Sequence, residues 1–467
     1  MTPEQCYALT GPQGIDSART SAYARFRCPT QGGDGGIGPP NGGIATLMAG
    51  RGQGSRLSEV FRRGEFRALW GAELISLAGD QLARVALAVL VYGRTGSAGW
   101  AAAVYALTFL PAMLGGVLLG GLADRHRRRE VMVAADVVRA VLVGVMALPG
   151  LSLWLLCALL VVVVLLSAVH SSAQAALLPA VLPDDLYERG LAVRQITSQA
   201  VQLAAFAGGG LLLVAVSPNV ALALNAATFV VSAVVLRLGV GNRPVPGGED
   251  GEDGSRSVAR DGFDAIREIL ADPPRRALLC LVWLVSCYVV PEALAAPYAA
   301  RLDGGPLAVG LLMAADPAGS VIGAFVFHRL VPAGPRTRLI GVIAAFAGLP
   351  LALCVFEPGL VGSILLWGVS GALSTAYLIQ AQAVFVRATP DAHRGRVVGV
   401  AASGLVATQG VAVFLGGLLA DRVGPPMAVT IAGVAGMVLA TASGLAWRAA
   451  RRAGSEAVGG TPALDAG

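Results

Sequence analysis

The sequence predicts an all-α membrane protein: twelve transmembrane helices arranged as two pseudo-symmetric six-helix bundles. Three observations predict it: a composition too apolar for a water-borne globule, uncharged runs of bilayer-spanning length, and an ordered recurrence between the two halves. Of 467 residues, 55% are hydrophobic and 14% charged, against about 25% charged in ordinary soluble domains. Disordered, collagenous and disulfide-scaffold classes are excluded by the same balance. The formal net charge of +6 has the sign that nucleic acid attracts, but all 35 basic residues are Arg. That bias reads as GC-rich codon usage, and no nucleic-acid partner is expected. The six Cys form no CxxC or His/Cys cluster, so no metal is expected.

A spanning helix needs about 20 mostly apolar residues. From Arg139 to Asp184 no charged residue intervenes, and Pro149-Gly150 divides the run; from Arg194 to Arg237 the divider is Ser217-Pro218-Asn219. Each run is a helical hairpin in lipid. Taken along the whole chain, the same measure gives spans near 68–93, 98–122, 131–149, 151–178, 191–216, 219–238, 277–299, 305–330, 338–356, 359–386, 396–420 and 426–447. Residues 1–60, rich in Gly, Pro, Ser and Gln, are expected to be a disordered cytoplasmic tail, and Met48 offers an alternative start. The first bundle covers 61–238. A central loop, 239–276, carries an amphipathic piece with Phe263, Ile266 and Leu270 at helical spacing. The second bundle covers 277–450, and 451–467 is expected to be a disordered cytoplasmic tail.

Arginine placement tests these spans independently. Thirty Arg fall on one side, only Arg94, Arg301 and Arg422 on the other, and Arg84 and Arg139 lie within spans. Positive charge stays cytoplasmic, so both termini are expected inside a cytoplasmic membrane. The halves also recur at an offset of about 207 residues: Pro183, Asp184 and Arg189 match Pro390, Asp391 and Arg396. Gly209-Gly210-Leu211-Leu212 likewise match Gly416-Gly417-Leu418-Leu419. Duplicated six-helix halves suit a transporter whose bundles rock about a midplane site.

Between spans 2 and 3 the chain reads Gly120-Gly121-Leu122-Ala123-Asp124-Arg125-His126-Arg127-Arg128-Arg129. Gly120 would let a neighbouring helix approach, Asp124 would anchor the loop by pairing or capping, and Arg125, Arg128 and Arg129 would hold the cytoplasmic face. This stretch resembles the signature loop of the major facilitator superfamily, departing from it at Arg127, where the signature has Gly. Asp136 and Arg139, Asn225 with Thr228-Phe229, Arg394-Gly395-Arg396 and Gln409-Gly410 resemble the branch of macrolide and siderophore exporters. The resemblance implies an alternating-access carrier in which these motifs belong to the loops and gates. It also implies that spans 1, 4, 7 and 10 line a central cavity. The antiporter signature of span 5 is incomplete, because Ala205-Phe206 stand where Gly-Pro would be.

Ionisable groups within a membrane cost roughly 3 kcal/mol or more and are functional candidates by default. Glu73, Ser76, Asp80 and Arg84 share one face of span 1. The spacing of Asp80 and Arg84 lets them neutralise one another, and Glu73 is expected near the cytoplasmic interface. Span 4 offers Ser167, His170, Ser171 and Gln174, and span 10 offers Ser370, Ser374 and Tyr377, as cavity-lining groups; Trp283 is a further one. Asp80, Glu292 beside Pro291, and Asp316 beside Pro317 are the proton-coupling candidates, the prolines being candidate hinges. Glu292 is expected toward the outer end.

These readings predict a monomeric, non-enzymatic carrier embedded in a lipid bilayer, exporting a lipophilic small molecule. It would need no cofactor and would draw on the proton gradient; no GxxxxGK[ST] element is present to bind ATP. A facilitator or importer of a metabolite, and a non-transporting sensor, are the alternatives.

Overall fold

The computed structural model describes residues 59–109, 111, 126–182, 184–243, 266–390 and 394–459. The helices are α1 (Gly64–Thr95), α2 (Ala98–Ala106), α3 (Arg128–Met146), α4 (Leu153–Val181), α5 (Asp184–Ala215) and α6 (Pro218–Gly239). A broken seventh follows as α7a (Pro273–Trp283), α7b (Ser286–Ala293) and α7c (Ala295–Arg301). The rest are α8 (Pro306–Leu330), α9 (Ala333–Ala352), α10 (Gly359–Arg387), α11 (Arg394–Val423) and α12 (Pro425–Gly459). Among the described residues ten helices are long and apolar enough to cross a membrane. Of the other two expected spans, 98–122 begins as α2 and then leaves the described residues. The other, 131–149, is α3, whose Arg128, Arg129, Glu130, Asp136 and Arg139 dilute its apolar face.

Local sequence sets the ends. Ser97, Ser152 and Ser217 each accept a hydrogen bond from the backbone N–H three residues on, capping α2, α4 and α6. Pro218, Pro273 and Pro306 occupy first-turn positions, where no N–H is needed. Gly424, at φ +87°, takes the left-handed conformation that stops α11 and admits α12.

The helices alternate in direction, which leaves an arginine-rich end, bearing residues 126–129, and an arginine-poor end, bearing Gly96, Ser217 and Gly424. In the first half α1 packs on α5 and α6, and α3 on α4 and α6. In the second, α8 packs on α10, and α9 on α10 and α12. The principal contacts between halves are α5 against α8 and α2 against α11. Both crossings run through glycine: a Cβ on Gly210 would lie 2.7 Å from Gly310 Cα, and one on Gly417 would lie 3.2 Å from Gly99 Cα. Such close backbone approach is how helices associate in lipid. Val141, Ile196, Leu211 and Leu365 stand exposed on the outer faces, as acyl chains rather than water would require.

Some expectations change. The tail expected over 1–60 lies outside the described residues up to 58, and its last residue, Val60, is buried against Phe66 and Leu69. Residues 266–271 are helical, but Ile269 is the buried residue while Ile266 and Leu270 are exposed; Phe263 lies outside the described residues. Helix α12 continues to Gly459, through part of the expected C-terminal tail, since its Ala, Arg and Glu are good helix formers. In span 7 the chain turns at Leu284-Val285 and at Leu294, on either side of Pro291 rather than at it. Pro317, by contrast, sits inside a continuous α8.

Candidate functional site

In the first half, α1, α3, α4 and α6 bring their polar residues to one place. Arg139 Nη2 donates to Asp80 Oδ2 at 2.8 Å and Arg139 Nη1 to Asp136 Oδ1 at 3.2 Å. Ser232 Oγ donates to Asp136 Oδ2 at 2.6 Å, and His170 Nδ1 lies 2.9 Å from Asp136 Oδ1. The Arg139 guanidinium also lies on the Phe229 ring, 3.9 Å from its centroid, a favourable seat for a desolvated cation. A buried charge must be paired and hydrogen-bonded, and Arg139 and Asp136, 2% and 0% exposed, meet that condition through each other. The Asp80 side chain is 34% exposed. Arg139 therefore links a wet carboxylate to a dry one.

This corrects the expected Asp80–Arg84 neutralisation. Asp80 is taken by Arg139 from α3, and the Arg84 guanidinium instead lies 5.8 Å and 6.0 Å from the Tyr105 and Phe109 ring centroids. Glu73 is not merely interfacial either. It receives Arg194 through Nε at 2.6 Å and Nη2 at 2.7 Å, and Gln174 Nε2 at 3.1 Å. Arg194 and Ser232 are the residues that the sequence reading missed as partners. An Arg a turn inside an apolar span needs an acid, and that was the available signal for Arg194.

A cavity of about 430 Å³ opens beside this network, with Asp80, Arg84, Thr108, Ser167, Ser171 and Asn225 as its polar wall and Leu87, Val143, Met146, Leu160, Val163 and Leu222 among its apolar lining. Ser167 still returns its hydroxyl to Val163 O at 3.0 Å. Ser76, His170 and Gln174 are buried in the helix packing.

The second half holds Glu292 on α7b and Asp316 on α8. They share a small void of about 10 Å³ with Tyr288, Leu312 and Trp367, room for about one water. Glu292 Oε1 is buried without a hydrogen-bond partner. The expected solvation of Glu292 is thus corrected: the carboxylate is buried where α7b packs against α2 of the first half. The stripe on α10 turns into packing instead of a cavity. Ser370 donates to Ala347 O at 2.8 Å, Ser374 to Ser370 O at 2.7 Å, and Tyr377 is fully buried beside Tyr288. Trp283 Nε1 donates to Ala401 O at 2.9 Å.

At the arginine-rich end Arg128 Nη1 donates to Ala176 O at 2.7 Å and Arg129 Nη1 to Val240 O at 3.2 Å. Cations there bond carbonyls near the ends of α4 and α6 and oppose the negative ends of those helices. Arg127, standing where the loop signature has Gly, is in extended backbone at φ −62°, so no glycine is required. Arg394 Nη2 donates to Thr389 O at 3.4 Å. Gly120, Asp124 and Arg125 and the Arg396 side chain lie outside what is described, and Gly395 stands in the first turn of α11. Among the described residues no group of three His, Cys, Asp or Glu could hold a metal.

The Major Facilitator Superfamily profile matches residues 69–380. Macrolide efflux protein A of Streptococcus pyogenes is 21% identical over 369 residues, spanning 77% of this chain and 90% of that protein. An uncharacterized MFS-type transporter of Bacillus subtilis, YvqJ, is 25% identical over 314 residues, 65% of this chain and 72% of that one. Among solved structures, a peptide transporter POT in complex with sulfate superposes with a TM-score of 0.66 at 13% identity, over 83% of this chain and 94% of that one. The nucleoside transporter NupG superposes at 0.64 with 15% identity, over 82% and 99%. At these identities the structural likeness speaks for the fold alone.

Proposed function

From the premise that this chain belongs to the Major Facilitator Superfamily, we propose that it is a proton-coupled exporter of a lipophilic small molecule, working by alternating access. The observation that carries this reading is the chain of polar side chains from the cavity wall inward: Asp80, Arg139, Asp136 and His170. A proton arriving at Asp80 removes the counter-charge of Arg139, which then leans on Asp136 alone. The α1–α3 contact weakens in proportion, and cavity shape follows protonation. The mainly aliphatic wall suits a bulky apolar substrate such as a drug, a secondary metabolite or a siderophore, and the macrolide exporter relative supports the same direction.

The carrier functions as a monomer in the cell membrane without a cofactor, its arginine-rich end facing the cytoplasm. Everted vesicles test the coupling. Efflux driven by an imposed proton gradient should fall to background in Asp80→Asn, and collapsing the gradient should do the same to the parent. Transport that survives both treatments would make the protein a facilitator.

A further inference from the structure

We propose that Asp421 and the residues around it form a latch that holds the two halves together at the arginine-poor end, a second copy of the loop signature working at the opposite end of the molecule. Residues 417–424 read Gly-Leu-Leu-Ala-Asp-Arg-Val-Gly. That is the same Gly-x-Leu-Ala-Asp-Arg spacing as at 120–125, and it keeps the final Gly that Arg127 replaces. The first copy stands in sequence just before residues 126–129 of the arginine-rich end; the second closes α11 at the arginine-poor end.

The structure brings the end of α11 against the start of α2. Asp421 Oδ2 accepts from Ser97 Oγ at 2.8 Å, and Ser97 Oγ accepts from Trp100 N at 3.1 Å. The carboxylate is thus joined through the N-cap hydroxyl to the first turn of α2. No side chain fits between them: a methyl on Gly99 would run into Asp421 Oδ2, and one on Gly417 would run into Ala102 Cβ.

Electrostatics explains why an acid stands there. In the last turn of α11 a carboxylate opposes its own helix dipole, yet it lies at the positive end of α2, in the other half. Asp421 is misplaced for its own helix and well placed for its neighbour. Gly424, at φ +87°, ends α11 one turn later and so fixes which way that last turn faces.

This latch rests on the alternating-access reading, since only a carrier whose arginine-poor end parts has a use for it. When the halves part, Asp421 loses the start of α2, so the contact favours the state closed at that end. The test uses a variant with all six Cys replaced and Ser171→Cys as a reporter on the cavity wall, labelled by an impermeant maleimide from each face of oriented vesicles. Asp421→Ala and Ser97→Ala should each raise the ratio of arginine-poor to arginine-rich labelling about fivefold, the shift that loss of one capping contact gives. A Ser97→Cys/Asp421→Cys pair should cross-link under oxidant and hold labelling to the arginine-rich face.

Gly310→Leu, which wedges the other crossing, is the control. If it admits label from the arginine-poor face while the Asp421 and Ser97 variants keep the parent ratio, the latch is overturned and alternating access stands. If the reporter stays confined to one face in every variant, alternating access fails and the latch with it. A Cys pair that does not cross-link overturns the geometry itself.

Discussion

Arg139 carries the polar interior of the first half: one guanidinium serves two carboxylates and an aromatic face. Removing it leaves Asp136 charged, 0% exposed and short of its counter-ion, and breaking a buried pair in this way costs about 3–5 kcal/mol. Arg139→Ala should therefore sharply reduce the yield of monodisperse protein in detergent and lower Tm. The double variant Asp136→Asn/Arg139→Gln, which leaves no lone charge, should recover much of the loss. A single variant as stable as the parent would remove Arg139 from this role. The acids themselves were legible in the sequence, since Glu73, Asp80 and Asp136 all stand in apolar runs. Their pairing was not, because residue spacing constrains neighbours on one helix only. Asp80 found its partner 59 positions away on α3, where the reach of an Arg side chain outbids the local i,i+4 geometry.

At the scale of helices, glycine decides how closely two axes approach, and the second half shows it at the α8–α10 contact. A methyl on Gly319 would run into Gly368 O, and one on Gly323 into Ala372 O. Gly319→Leu should force these helices apart and abolish folded expression. Gly144 on α3 has nothing within 4 Å of a Cβ, so Gly144→Ala should be neutral or add up to about 1 kcal/mol, by restricting the unfolded chain. Thermal unfolding of the purified variants separates the two cases, and equal behaviour would refute the packing argument. Hydropathy was enough to find most helices, because spanning length and charge exclusion are properties of a single segment. The internal recurrence carried further: Gly210 and Gly417, paired by the repeat, both lie at crossings between halves. The breaks in the seventh span carry no mark in the sequence, because the chain turns at Leu284-Val285 and Leu294, where no Gly or Pro stands, and Pro291 lies inside a helical turn between them. The α10 hydroxyls misled for a related reason. A polar stripe marks one side of a helix but does not say whether that side meets a cavity or a backbone carbonyl, and Ser370 and Ser374 meet carbonyls.

Over the whole molecule two charge patterns act on different solvents. Exposed Val, Leu and Ile on the outward faces leave the middle of the helices no stable place in water. The Arg residues crowd one end, where Arg128, Arg129 and Arg243 bind the carbonyls at the ends of α4 and α6. Those bonds suit part-buried arginines, since the helix ends they meet are negative. Arg carried across a bilayer would meet a barrier of several kcal/mol each, so the proposed orientation keeps the end holding most of them on the side of synthesis. His126 and Ser217, one at each end, therefore report opposite compartments. In an otherwise Cys-free protein, Ser217→Cys should react with an impermeant maleimide on intact cells and His126→Cys should not, with the order reversed in everted vesicles. Both positions reacting from one face would mean that the odd number of crossings between them is wrong, and with it the inward placement of the arginine-rich end.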